Sequence, residues 1–161
     1  MVIKLDGIEV EQIMSEVELL EKSKELRKQS ERIRNMEVKH LDKNDKCLYV
    51  GQREMAVVVP GEGIEMLGSE DATTCHIVTI RENTTAVTGL AHLDRENPQD
   101  FLDFMREIEK SVRRAGQGEK DDYVMTLIGG FDDQRNISRG MRRKLLEAIQ
   151  KLPFRYETTN F

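Results

Sequence analysis

Cysteine is scarce in this chain: only Cys47 and Cys75 occur in 161 residues. Two cysteines without a framework spacing do not make a disulfide scaffold, and a chain of this length does not need one. A reduced compartment, cytoplasmic or nuclear, fits this usage. No run approaches the roughly 20 apolar residues that a membrane span requires. The N-terminus turns charged after Met1-Val2-Ile3, so a signal-peptide core is not expected. An excess of positive charge is also missing. The net charge is −5, which argues against duplex nucleic acid as a partner. Arg139, Arg142, Arg143 and Lys144 cluster beside apolar positions and read as a solvated helix face. His40, His76 and His92, with the two cysteines, show no zinc spacing, so no metal is expected. Gly129-Gly130 lacks the lysine and hydroxyl residue of a phosphate loop. Internal repeats and low-complexity tracts are absent.

What is present is 38% hydrophobic and 34% charged residues, with the apolar ones gathered in periodic runs. That composition fits one domain spanning 1–161, with a helical entry segment at 10–35 and a core at 47–150. Val2 to Ile8 predicts a short strand that turns at Asp6-Gly7. Val10, Ile13, Met14, Val17 and Leu20 recur at helical spacing, while 21–34 is mostly charged. Cys47 to Val50 reads as a strand. Met55 to Val59 and Ile64 to Leu67 read as a hairpin across Pro60-Gly61-Glu62-Gly63. Cys75 to Ile80 and Thr84 to Leu90 predict a second hairpin. Asn97-Pro98 starts a helix with Phe101, Phe104, Met105, Ile108 and Val112 on one face, and Gly116 ends it. Tyr123 to Ile128 is another strand. A last helix covers about 138–151. Short strands in hairpins, followed by helices alternating with a strand, argue for an α+β fold.

Cys75 carries the chemical interest. It opens a strand after the polar loop 68–74, where a substrate could reach it. A thiolate is the reactive form, so it needs a basic partner. His76 would point to the opposite face of that strand. His92, near the end of the next strand, is the better partner. Spacing alone favours a plainer account, in which Cys75 is a small buried apolar residue and His92 a strand-end residue. Asp132 and Asp133 could form a carboxylate pair, but adjacent acids in a loop are more often solvated turn residues.

The run Leu48-Tyr49-Val50-Gly51-Gln52-Arg53-Glu54-Met55-Ala56-Val57 resembles the eukaryotic protein N-terminal asparagine amidohydrolases. So do Leu67-Gly68-Ser69-Glu70-Asp71-Ala72-Thr73-Thr74-Cys75-His76-Ile77-Val78, then Leu90-Ala91-His92-Leu93-Asp94 and Leu127-Ile128-Gly129-Gly130-Phe131-Asp132-Asp133. The resemblance implies hydrolysis of the side-chain amide of N-terminal asparagine, with Cys75 as nucleophile and His92 as its partner. The partners it implies are proteins or peptides led by asparagine, feeding an N-degron route, with no cofactor. A more distant similarity, to cysteine-dependent glutamine deamidases, implies a mixed-sheet β-sandwich with flanking helices. It also implies a hydroxyl residue orienting the histidine, and Ser69 holds the matching position. Asp71 is the candidate to read the free α-ammonium, and Thr74 lies beside a candidate oxyanion-binding amide. Family members continue beyond this length, so the chain reads as a shortened form with an exposed sheet edge. The alternative is an inactive relative that binds N-termini or partners.

Overall fold

Strand β6 (His76–Glu82) is the axis of the fold. A computed structural model describes residues 3–5, 8–10, 28, 31–32, 35–37, 40, 42, 44–116, 122–131, 133–152 and 155–160. Within β6, Val78 and Ile80 are fully buried on one face, and Arg81 is exposed on the other. β7 (Thr88–Leu93) pairs with it antiparallel on one side, and β8 (Asp122–Gly129) on the other. β4 (Met55–Val58) extends the sheet antiparallel to β7, and β9 (Arg155–Asn160) extends it parallel to β8. The order is β4-β7-β6-β8-β9, a five-stranded mixed sheet.

Two helices cover one face. Helix α1 (Pro98–Arg114) begins where Asn97 accepts a hydrogen bond from the Gln99 N–H, with Pro98 in the first turn and Asp100 beside it. Its buried stripe is the one its spacing predicts: Phe101, Phe104, Met105, Ile108 and Val112. Helix α2 (Ile137–Gln150) adds Met141, Leu145, Leu146, Ala148 and Ile149. The α1 stripe and Leu145, Leu146, Ala148 and Ile149 of α2 meet Val78, Ile80, Ala91, Tyr123, Met125 and Leu127 in one core. Full burial of each large apolar side chain contributes on the order of 1.5–3 kcal/mol.

The opposite face carries a thinner layer. β3 (Cys47–Tyr49) and β5 (Met66–Gly68) form a parallel two-stranded ladder. Val50 and Leu67 close over Ile77 and Leu90. The architecture is α+β: among the described residues, helices α1 and α2 cover one face of the mixed sheet, and the second layer is these two strands. The expected hairpin of β4 with β5 is corrected: β4 joins β7, and β5 returns to β3. Gly61 and Gly63, both at positive φ, lie in the connection between two strands that join different sheets. Near the N-terminus, β1 (Ile3–Leu5) and β2 (Ile8–Val10) pair antiparallel, as the Asp6-Gly7 signal suggests. Most of the predicted 10–35 helix lies outside the described residues. β9 was not foreseen. At the open end of β8, Ile128 and Phe131 are exposed.

The β6–β7 turn is closed by a buried carboxylate. Glu82 is fully buried and accepts hydrogen bonds from the Thr84 N–H, the Thr85 N–H and the Thr85 hydroxyl. Burial pushes its pKa up, but the bonds from Thr85 and Thr84 outweigh that and hold it below the usual carboxylate value.

Helix α1 approaches β7 at Gly89. A Cβ there would lie 2.7 Å from Phe104 Cε2 and 2.9 Å from Ile108 Cδ1. Gly89→Ala is therefore expected to destabilise the chain by about 1–3 kcal/mol through overpacking. Urea unfolding of Gly89→Ala, Phe104→Leu and the double variant checks this. The double variant should lose less than the sum of the singles. Simple additivity would place the cost elsewhere.

Candidate active site

Cys75 sits at the end of the loop that precedes β6, and its main chain is clamped. The Gly130 N–H donates to the Cys75 carbonyl at 2.9 Å, and the Phe131 N–H donates to the Thr73 carbonyl at 2.7 Å. Gly129 and Gly130 hold φ of 99° and 80°, a left-handed conformation that favours glycine. Space demands it as well: a Cβ at Gly129 would come 2.6 Å from the Cys75 carbonyl oxygen. The glycine pair that ends β8 thus fixes the cysteine loop.

The strand register sets which side chains share a face. Ile77 lies opposite His92, and His76 opposite Leu93. His92 therefore falls on the face away from the helices, the face that Cys75 continues from Ile77. His76 turns to the helix side, as its sequence position predicts. Cys75 is 7% exposed and His92 3%.

Ser69 completes the group and decides the histidine's proton. Its Oγ lies 2.6 Å from the Val50 carbonyl oxygen and 2.8 Å from His92 Nδ1. A hydroxyl has one proton, and a carbonyl oxygen can only accept. The Ser69 proton therefore goes to Val50. Toward His92 the same oxygen must accept, so Nδ1 carries the hydrogen. In neutral imidazole that leaves Nε2 as a bare lone pair. Nε2 is buried and makes no hydrogen bond. The arrangement presents an imidazole base on the cysteine's face.

No hydrogen bond joins Cys75 to His92. The sulfur is faced instead by Gln52 Nε2 at 3.8 Å. Burial pushes the Cys75 thiol pKa up, and the nearby Asp94 adds to this. Thr74, the cysteine's own N–H and Arg53 pull the other way without reversing the shift. The sulfur rests as a thiol, so attack requires a base to take its proton.

A short turn that sequence reasoning passed over organises the rest. Gly51 and Glu54 close it, with the Glu54 N–H donating to the Gly51 carbonyl at 3.0 Å. It is tied to β7 on both sides of His92. The Arg53 N–H donates to the His92 carbonyl, and the His92 N–H donates to the Glu54 carbonyl, each at 3.0 Å. From this turn Arg53 pairs with Asp94, whose side chain is only 5% exposed and also meets Arg95. Gln52 bonds Asp94 at 3.0 Å. Gln52 and Arg53 fall in a run that resembles the family, but no local pattern gives either a role. Only the pairing of β4 with β7 brings them over Cys75.

The other candidates separate. Asp71 is exposed, at φ 58°, and its carbonyl accepts from the Thr73 N–H. Asp132 lies outside the described residues. Asp133 caps α2 by accepting from the N–H groups of Ser138, Ile137 and Arg135. Those bonds, led by Ser138, hold its pKa below the usual carboxylate value. It is a helix cap rather than half of a carboxylate pair. Among the described residues, no group of histidine, cysteine and acidic side chains could hold a metal, and no helix is long and apolar enough to cross a membrane.

A family profile described as "Protein N-terminal asparagine amidohydrolase" matches residues 35–161. The chain belongs to this family. Proteins of the same name are similar to it in Mus musculus (34% identical over 91% of this chain and 47% of that protein), in Homo sapiens (37% over 65% and 33%) and in Arabidopsis thaliana (30% over 55% and 24%). The chain thus spans about half, or less, of the length of the amidohydrolase relatives it matches. The matched region contains Ser69, Cys75 and His92 together with the Val50–Glu54 turn.

Behind the cysteine of this amidohydrolase fold lies a buried polar residue that the site does not use. His76 is 1% exposed, and neither of its ring nitrogens has a hydrogen-bond partner. It sits beside Gly130 and Ser138, whose hydroxyl is equally unpartnered. Burial, with Arg142 nearby, lowers its pKa from 6.5 to about 4. Because the folded value lies below the unfolded one, the unfolded chain takes up the proton first. Stability is full above pH 6.5, falls as pH drops from 6.5 toward 4, and levels off below. The loss is roughly 3 kcal/mol. His76→Leu should remove this contribution. Denaturant unfolding should show the variant gaining on wild type from pH 7 to pH 4, whereas a constant difference would contradict it.

Proposed function

We propose that this chain hydrolyses the side-chain amide of an N-terminal asparagine to aspartate, releasing ammonia. Family membership supports the reaction class. The observation that carries the mechanism is the commitment of the Ser69 proton to the Val50 carbonyl, which leaves His92 Nε2 unprotonated on the face of Cys75.

A carboxamide is a weak electrophile, and its nitrogen leaves only when protonated. The Cys75 thiol attacks Cγ of the asparagine as His92 Nε2 takes the thiol proton. The carbonyl electron pair moves onto oxygen, giving a tetrahedral oxyanion. As it collapses, His92 returns the proton to the departing nitrogen, and ammonia leaves a thioester on Cys75. Water then adds to the thioester, with His92 as base once more. This gives aspartate and restores the thiol. The protonated thiol of the resting site suits this order, because the proton moves only as the carbon–sulfur bond forms.

Selection of a chain terminus needs a carboxylate for the α-ammonium. Asp94 is engaged by Gln52, Arg53 and Arg95. The exposed Asp71 is the carboxylate we assign to that task, with Thr74 beside the reacting oxygen. The product, an N-terminal aspartate, would feed arginylation and degradation. A free thiol at its centre suits a reducing cytoplasm or nucleus, and Cys47 and Cys75 are both unpaired.

The test is a peptide that begins with asparagine, followed by mass spectrometry and ammonia release. Wild type should convert it with a gain of about one mass unit, the replacement of NH2 by OH. Cys75→Ala should abolish conversion. Ser69→Ala should lower kcat/KM by about 10²-fold, since a misoriented base forfeits general acid–base catalysis. Activity that survives Cys75→Ala would overturn the mechanism. A folded wild type that binds the peptide without releasing ammonia would overturn the reaction.

A further inference from the structure

We infer that the Gln52 side-chain amide is an oxyanion donor of this site, aimed by Asp94. The inference rests on the reading that Cys75 attacks a carbonyl carbon. Gln52 Nε2 lies 3.0 Å from Asp94 Oδ2 and 3.8 Å from Cys75 Sγ. The carboxylate of Asp94, ion-paired with Arg53 and Arg95, accepts hydrogen bonds and does not donate. Facing it with the amide oxygen would set acceptor against acceptor, so the nitrogen must face it. An NH2 group has two hydrogens in one plane. Asp94 takes one, and the other is left toward the sulfur.

The backbone fixes the donor's origin. Gln52 sits in the Gly51–Glu54 turn, which the Gly51 N–H to Glu54 Oε2 bond of 2.8 Å tightens. The bonds of Arg53 and Glu54 to the His92 main chain anchor that turn to the same strand that carries the base. Donor and base are thus held against one another before substrate arrives, which is what preorganised stabilisation requires.

Its part in the reaction follows from charge. When the Cys75 sulfur bonds to carbon, the thiol proton passes to His92 Nε2 and the π pair moves onto the carbonyl oxygen. That oxygen is attached to the carbon bonded to the sulfur, so it develops its charge within reach of a donor placed beside the sulfur. The Gln52 N–H donates to it, together with a backbone amide of the cysteine loop. In the resting site the same hydrogen faces the neutral thiol, a weak acceptor, so the stronger bond is made only in the transition state.

The test is Gln52→Ala, measured in three ways. With an asparagine-led peptide, kcat should fall by about 10²–10³-fold with little change in KM, as for loss of one oxyanion donor. Acylation of Cys75 by p-nitrophenyl acetate, read as the burst of p-nitrophenol, should fall as well, because it passes through the same kind of oxyanion. Alkylation of Cys75 by iodoacetamide creates no oxyanion and should keep its wild-type rate, which also shows that the variant is folded. A burst that stays within a few-fold of wild type would overturn the inference. So would alkylation falling in step with acylation, since Gln52 would then act on the thiol itself. If wild type does not turn over the peptide, the reading of the reaction fails, and the burst-to-alkylation ratio still decides the role of Gln52.

Discussion

The site depends on one hydrogen bond, from the Ser69 hydroxyl to the Val50 carbonyl at 2.6 Å. It consumes the only proton Ser69 has. Every later assignment follows: Nδ1 of His92 must donate, Nε2 must be the acceptor, and the acceptor lies on the cysteine's face. A serine without that carbonyl could donate to Nδ1 and would favour the opposite tautomer, placing a hydrogen where the base is needed. A backbone carbonyl is well suited to the task because it cannot donate and does not titrate. Val50 is itself 1% exposed and belongs to the small cluster with Ile77 and Leu90. The orienting group is therefore fixed by packing.

Two other constraints hold the site in place. The Gly129-Gly130 pair grips the main chain of the cysteine loop at the open end of β8. The Gly51–Glu54 turn grips the main chain of His92 from β4. The nucleophile, just before β6, and the base, on the adjacent β7, are thus each clamped by a turn or loop at the end of the outer neighbouring strand. The helices on the far face supply the core that keeps those strands in register, and they contribute no side chain to the chemistry proposed here. His76 marks the boundary. It follows the nucleophile directly, yet it is turned into the helix layer, where its unpartnered ring costs stability in acid.

Much of this was legible in the sequence because it rests on local pattern. The Asn97-Pro98 cap and the stripe from Phe101 to Val112 define α1 without reference to anything distant. The alternation along β6 puts His76 and Cys75 on opposite faces, which made His92 the better partner. The spacing of Ser69 from Cys75 pointed to an orienting hydroxyl, through resemblance rather than physics. What was not legible depends on long-range pairing. Pro60-Gly61-Glu62-Gly63 looks like a hairpin turn, but β4 and β5 enter different layers. The role of Val50 exists only because β3 pairs with β5, and those of Gln52 and Arg53 only because β4 pairs with β7. The strand Arg155–Asn160 reads as an undistinguished tail until β8 offers it an edge.

The most direct test of the account is the tautomer of His92. The chain has three histidines, so nitrogen-15 NMR of the imidazoles at neutral pH can be assigned by substituting His40 and His76. The account predicts a protonated, pyrrole-type Nδ1 and a bare, pyridine-type Nε2 at His92, with that preference lost in Ser69→Ala. A protonated Nε2 and a bare Nδ1 in the wild-type chain would contradict it.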